Sequence, residues 1–372
     1  MTPQLGLIVN PVAGLGGRVG LKGSDGAEVQ TRARQLGAQP LAQKRAAEAL
    51  QRFDPLSTSL TILTYPGEMG ERIAKATGFR TIVFGSIAPG ATTAEDTIAA
   101  AVEMRQRSVD LILFAGGDGT ARDMARAVGD SVPVLGIPAG VKILSAAFAT
   151  NPSAAGDLAR SYLAGEVHRL REAEVLDLDE SAYRAGHISP VLFGTLKIPD
   201  SSRRVQGRKS LSPPDEHGRL EAIALDVIDR MRQDTAYIVG PGTTTRPILL
   251  RLGLEKTLVG VDVVFRRRLL VADANEASLL AVTGEHPVNI IVTPIGGQGF
   301  VFGRGNPQIS PAVLRAAGLK NIRIVSTPEK MIELRGRPLL VDTGDPELDH
   351  ELCGFVKVIT GYNERIMYQV GT

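Results

Sequence analysis

With 372 residues, 43% of them hydrophobic and 22% charged, the chain has globular composition and enough length for two domains or one large α/β domain with insertions. A formal net charge of +2 excludes the strong global field of a nucleic-acid or acidic-lipid binder, and no apolar stretch approaches the length of a membrane span. The single Cys353 excludes an internal disulfide and fits a reducing, cytoplasmic setting.

The first part reads as strands alternating with helices. Leu5 to Val9 is a short buried strand that breaks at Asn10-Pro11 into the glycine-rich stretch Val12 to Gly26. Helical patterns follow at Glu28 to Leu36 and Ala42 to Phe53, then a strand at Leu60 to Leu63, a helix at Glu68 to Ala76 and a strand at Thr81 to Phe84. A helix from Thr93 to Arg107 leads into the apolar run Val109 to Ala115, which delivers Gly116-Gly117-Asp118-Gly119-Thr120 to the start of a helix reaching Val128. A strand at Val132 to Leu135 precedes GIPAGVK (Gly136 to Lys142), which is expected to open another helical segment, and Ser153 to Leu163 is one more helix. Such βα repetition predicts a doubly wound, mainly parallel sheet with ligands beyond the carboxyl ends of its strands.

Near residue 165 the pattern changes. Alternating strands at Glu174 to Asp179 and Pro190 to Ile198 suggest a second, β-rich α+β domain, so the expected organisation is 1–164 for phosphate and nucleotide binding and 165–372 to complete the cleft. A helix at Leu220 to Arg232 and a strand at Ala236 to Val239 precede Gly240 to Thr245 (GPGTTT), which leads into a helix at Arg246-Pro247. Further strands are expected at Leu258 to Val264, Val288 to Val292 and Asn321 to Val325. The pattern leaves open which domain takes the strands of the tail, Leu339 to Tyr368, with packing back onto the first domain as one option. Arg203-Arg204 and Arg208-Lys209 lie in a polar loop, Asp200 to Gly218, that reads as solvated or as closing over phosphates, whereas Arg266 to Arg268 read as a charged hairpin turn.

Several chemistries are missing. Gly136, Gly140 and Lys142 have the wrong spacing for a P-loop, Val19 stands where a dinucleotide fingerprint needs glycine, and Lys22 breaks a nucleophile elbow around Ser24. His168, His187, His217, His286 and His350 are too dispersed for a zinc site.

Phosphate corners remain. A strand ending in glycines at a helix start lets the backbone approach an anion, so Gly116, Gly117, Gly119 and Thr120 are candidate phosphate-binding residues. A carboxylate among phosphates must hold a metal or take a proton, which makes Asp118 the candidate catalytic residue; the plainer reading is a helix cap. Asn10 with Gly14, Gly16 and Gly17 offers backbone and amide donors or forms a simple turn. Lys142 supplies positive charge or is a surface lysine, while Gly242, Thr243, Thr244 and Thr245 bind phosphate and ribose or cap a helix. The glycine-rich stretch Thr293 to Gly305 implies close approach of a ligand or a mobile loop.

With GGDGT, NPVAG and GPGTTT in these positions, the chain resembles the superfamily of NAD kinases, diacylglycerol-type lipid kinases and phosphofructokinases. The strings GIPAGVK, TLVGVDVV, VTPIGGQGFVFGRGNPQIS, VDTGD and ITGYNERIMYQV make it most similar to the AcoX-like branch of the ATP-NAD kinase family, over nearly its whole length. The resemblance implies phosphoryl transfer from ATP or polyphosphate to NAD(H) or a related metabolite, with Mg²⁺ or another divalent cation, Asp118 as general base, and a homo-oligomer; such a base needs no raised pKa, because an ionised carboxylate can accept the proton late in transfer. The chain departs from the family in lacking an Asn-Glu pair between Pro152 and Lys209; Asn363-Glu364 lies in the tail instead. That departure keeps a nucleotide-binding sensor without turnover in play, beside a lipid or small-metabolite kinase.

Overall fold

The computed structural model describes residues 2–17, 19–21, 27–56, 60–140, 143–178, 190–200, 217–257, 259–295 and 298–372. The basic residues 203–209 and Lys142 therefore lie outside the described residues. The chain divides into two compact units, one of Met1–Leu15, Gly23–Gly26 and Gln39–Arg208, the other of Gly16–Lys22, Ala27–Ala38 and Lys209–Thr372.

The first unit is built on a parallel sheet of β1 (Gln4–Val9), β2 (Thr61–Thr64), β3 (Arg80–Val83), β4 (Leu111–Gly116) and β5 (Val134–Pro138), in the order β3-β2-β1-β4-β5. Every residue of β4 and β5 is buried, so side chains on both faces are covered, as the uninterrupted apolar runs require. Cover comes from α2 (Ala42–Leu50) packed on α6 (Pro152–Leu163), and from α4 (Ala94–Gln106) packed on α5 (Asp118–Val128). A short α3 (Glu71–Ala76) connects β2 to β3, and α1 (Ala27–Gln35) belongs to the second unit.

Local chemistry sets these starts. Asn151 accepts the Ala154 N–H at 2.7 Å while Pro152 occupies the first helical turn, where its missing N–H costs nothing. Thr93 and Asp96 form a capping box at the head of α4.

Two sequence expectations are corrected in this unit. The hairpin of β6 (Leu170–Leu178) and β7 (Pro190–Pro199) belongs to it, because Ala173, Val175, Leu196 and Ile198 are fully buried in the same core as the parallel sheet. The change to alternation near residue 165 thus marks a hairpin added to the first core, not a domain boundary. The helix expected after GIPAGVK is also missing from residues 143–150. Its backbone donors are taken elsewhere: Leu144 and Ser145 N–H donate to Asp118, Ala146 N–H to the Glu174 carbonyl, and Ala149 N–H to the Gly136 carbonyl.

The second unit carries a mixed sheet of nine strands: β8 (Ala236–Val239), β9 (Asp262–Phe265), β10 (Arg268–Val271), β11 (Val288–Val292), β12 (Phe300–Phe302), β13 (Ile322–Val325), β14 (Leu339–Val341), β15 (Gly354–Gly361) and β16 (Glu364–Gly371). Their order is β10-β9-β8-β11-β13-β15-β16-β14-β12. The tail strands β14 to β16 therefore complete this sheet and do not return to the first. One face meets α7 (His217–Asp229) and α8 (Arg246–Arg251) through Ala224, Val227, Ile248 and Leu249. The other meets α9 (Glu276–Glu285), α10 (Pro311–Ala317), α11 (Pro328–Glu333) and α12 (Pro346–Leu352). Ser310-Pro311, Thr327-Pro328 and Asp345-Pro346 each repeat the pairing of capping oxygen and first-turn proline.

Arg266 and Arg267, with φ of 50° and 60°, form the expected turn between β9 and β10. At the opposite end of this hairpin lies a buried ion pair: Lys256 Nζ is 2.8 Å from Asp262 Oδ2, with side chains 1% and 0% exposed. Lys256 also donates to the Thr257 and Gly260 carbonyls. Burial pushes the Asp262 carboxyl up, but Lys256, Thr257 and the Asp273 N–H outweigh it and hold the group below the usual carboxylate range. Among the described residues no helix is long and apolar enough to cross a membrane.

Candidate active site

The carboxyl ends of β1, β4 and β5 lie side by side, so their loops gather on one edge of the first sheet. β1 delivers Asn10, whose N–H donates to the Ala115 carbonyl at 2.9 Å. Its side chain braces the corner: Nδ2 donates to Thr120 Oγ1 at 3.0 Å and Oδ1 accepts the Val12 N–H at 3.1 Å. From β5, Ala139 and Gly140 N–H both donate to the Gly116 carbonyl.

Glycine is required where these segments touch. A Cβ on Gly116 would lie 2.4 Å from Thr120 Oγ1, and one on Gly14, at φ +79°, would lie 2.2 Å from the Ala139 carbonyl oxygen. The corner thus assembles Asn10, Gly14, Gly116, Gly117, Asp118, Gly119 and Thr120. Gly16 and Gly17 fall in the second unit, where Gly17 O accepts the Gly20 N–H and Gly16 O the Leu21 N–H.

Asp118 opens α5 and is 7% exposed. Oδ2 accepts the Leu144 N–H at 2.7 Å; Oδ1 accepts the Ser145 N–H at 2.9 Å and lies 2.6 Å from Ser145 Oγ. Burial pushes its carboxyl up to about 7, against these hydrogen bonds, which favour the charged form. The general-base reading needs no raised pKa, yet the loop closing over Asp118 raises it by removing water from around the carboxylate. Counting lone pairs, Oδ2 has one acceptor direction left, enough for a single incoming hydroxyl. Ser145 escaped the sequence reading because its partner lies 27 positions away and its segment reads as helix.

The second glycine corner, in the other unit, holds Gly242 to Thr245. Thr245 Oγ1 donates within the loop, to Gly240 and Gly242 carbonyls at 2.8 and 3.1 Å, so it braces the turn. Thr243 and Thr244 instead face Lys330 from α11, a residue the sequence did not single out; the available signal was a lysine in a capped helix start directly after β13. Among the described residues no group of three or more His, Cys, Asp or Glu side chains could hold a metal ion.

Residues 5–167 match the family model of the ATP-NAD kinase N-terminal domain, and residues 232–370 match that of the ATP-NAD kinase C-terminal domain. The chain belongs to the ATP-NAD kinase family. The first match spans the parallel sheet and the corner around Asp118; the second spans the nine-stranded sheet and Lys330. None of the curated proteins matches the sequence. A crystal structure of a conserved domain protein from Vibrio cholerae O1 biovar El Tor covers 90% of this ATP-NAD kinase relative and 77% of its own chain. At 10% identity and a TM-score of 0.26, that likeness bears on neither fold nor function.

Proposed function

We propose that this chain transfers a phosphoryl group from ATP or polyphosphate to a ribose hydroxyl of NAD(H), within the AcoX-like branch of its family and with Asp118 as general base. The observation that carries the reading is the aimed Asp118 carboxylate, fixed by two backbone N–H groups and a hydroxyl in a glycine corner. Phosphoryl transfer through a loose transition state asks for positioning and charge neutralisation more than for strong base chemistry. Oδ2 is suited to accept the hydroxyl proton late in transfer, and a pKa of about 7 matches a base working near neutral pH. Asn10, Thr120 and the glycines hold the corner rigid, so that donor phosphates meet backbone N–H groups. Mg²⁺ bound to those phosphates would neutralise their charge. The cytoplasm and a homo-oligomer are the setting that the single cysteine and family membership support.

The missing Asn-Glu pair favours a second reading, a nucleotide-binding sensor without turnover. An end-point assay with Mg²⁺, ATP or polyphosphate as donor, and NAD or NADH as acceptor separates the two. NADP or NADPH formed by wild type and not by Asp118→Asn supports the kinase. Nucleotide protection against thermal unfolding with no product supports the sensor.

A further inference from the structure

We propose that the second unit binds one amphipathic anion, an alkyl chain with a carboxylate head, in a cleft between β13 and β15. β13 and β15 pair at Ile324–Val358 and Val325–Ile359 only, whereas β15 continues along β16 from Gly354 to Lys357. A cleft of about 760 Å³ opens there. Its walls take Ile322 and Ile324 from one face of β13 and Arg323 from the other, and Val356 from one face of β15 with Phe355 and Lys357 from the other. It therefore passes between the two strands. This is the amino end of β13, away from the loop and helix that carry Lys330 beyond its carboxyl end.

The inner end of the cleft is carbon. Phe302, Val341, Leu352 and Val370 close it, and they belong to or pack against the buried core on that face of the sheet. Water against such walls finds few partners, so an alkyl chain displaces it favourably.

The mouth is cationic. Arg323 and Lys357 directly precede the paired Ile324 and Val358, so their side chains leave the same face as neighbours. Arg323 donates to the Lys320 and Ile322 carbonyls at 2.8 and 3.0 Å, and neither cation has a carboxylate partner among the described residues. The carboxylates that line the cleft are already engaged, Asp226 by Arg230 and Arg365, Glu351 by Arg315. Like charges side by side on a sheet are unfavourable, and an anion held between them offsets that cost.

Size and spacing select a single chain over a peptide. The volume falls within the range of about 300–1,000 Å³ typical of small-molecule sites. An inserted peptide strand would hold β13 and β15 about 9–10 Å apart, twice the spacing of paired strands, yet they pair at once beyond Arg323 and Lys357. An alkyl chain needs no such separation. Phe355, 71% exposed on the same face as Lys357, adds apolar surface at the mouth. Phosphoryl transfer plays no part in this site.

The test is calorimetric titration of the full chain, at two protein concentrations, with decanoate and separately with decan-1-ol. One decanoate per chain is expected, bound about tenfold or more tighter than the alcohol, as a charge-assisted contact gives. Arg323→Gln combined with Lys357→Gln, two exposed positions with little bearing on folding, should bring decanoate down to the affinity of the alcohol. Val356→Phe narrows the passage and should weaken both ligands; the exposed pair decides the question by itself if that variant fails to fold. Arg335→Gln, at an exposed position near the opposite end of the sheet, should leave both affinities unchanged. Equal affinity for acid and alcohol, or decanoate binding unchanged in the double variant, overturns the proposal. So does uptake without a one-to-one limit, or binding that fades as the chain is concentrated, which would put a second copy in the cleft.

Discussion

The Ser145 hydroxyl sits 2.6 Å from Asp118 Oδ1 and 2.9 Å from the Leu176 carbonyl, yet it has one proton to give. While Asp118 is ionised, that proton goes to the carboxylate and the Leu176 carbonyl is left short. Once Asp118 is protonated, its own proton can go to Ser145 Oγ, and the hydroxyl turns to Leu176. The Leu176 N–H donates to Ser145 Oγ at 3.1 Å in either state, so the charge on Asp118 is felt on β6.

Ser145→Ala removes a hydrogen bond that favours the charged form, so the Asp118 carboxyl should rise further. The acidic limb of the pH–rate profile should move to higher pH. Unfolding in urea should also show a loss of about 1–3 kcal/mol, because the Leu176 N–H and carbonyl lose their partner. An unmoved acidic limb would show that Asp118 is not the titrating base.

Asp118→Asn should lower turnover by about a hundredfold or more, the scale of a lost general base. It should also destabilise by about 1–3 kcal/mol, since an amide NH₂ must face either the Leu144 or the Ser145 N–H. The pH dependence has a definite sign. With its folded pKa raised, wild-type Asp118 stabilises below the ordinary aspartate range and loses that contribution as pH climbs through about 7. The stability gap between wild type and variant should therefore narrow from pH 5 to pH 8, at up to about 1.4 kcal/mol per pH unit.

Gly116→Ala forces a methyl into Thr120, whose Oγ1, Cβ and Cγ2 all lie within 2.7 Å of the new atom. A loss of about 1–3 kcal/mol is expected. Moving Thr120 also breaks its bond from Asn10, so nucleotide protection in a thermal-shift assay should weaken with it.

Asp262→Asn leaves the Lys256 ammonium buried without its counter-charge, at a cost of about 3–5 kcal/mol. Wild-type Asp262, held below the ordinary carboxylate range, stabilises above that range and loses its contribution as pH falls through its folded pKa. Acid unfolding of wild type and variant should therefore converge at low pH.

Replacing the β9–β10 turn by Arg266→Asn with Arg267→Gly should stabilise the chain by about 1 kcal/mol, because both positions hold positive φ. The losses are a weak contact from Arg267 to the Ile228 carbonyl at 3.5 Å and the exposed stacking of Arg266 over the Phe265 ring, 5.1 Å from its centroid. A higher Tm with unchanged nucleotide binding is the expected result.

Strands announced themselves where burial on both faces writes a continuous apolar run, as in Leu111 to Ala115 and Val288 to Val292. Helix heads were legible from Asn151-Pro152 and Thr93. Asp118 was legible because a carboxylate among glycines needs a reason. Residues 143–150 misled, since their apolar content suits a helix while their N–H groups are claimed by Asp118, Glu174 and Gly136. Lys330 could not be paired with Thr243 and Thr244 in advance, because only the pairing of β8, β11 and β13 brings their loops together.

The excursion of residues 16–22 and 27–38 into the second unit has a consequence for how the protein is made. On a ribosome, α1 emerges early, and the rest of the first unit is synthesised before the bulk of the second unit, to which α1 belongs, exists. Until then α1 is an orphan segment for which a chaperone would compete. For the same reason, no single cut of the gene yields either unit whole: a fragment starting at Lys209 leaves α1 behind, and one ending at Arg208 carries it without its partner. Dissecting the two units calls for a circular permutation or for co-expression of pieces.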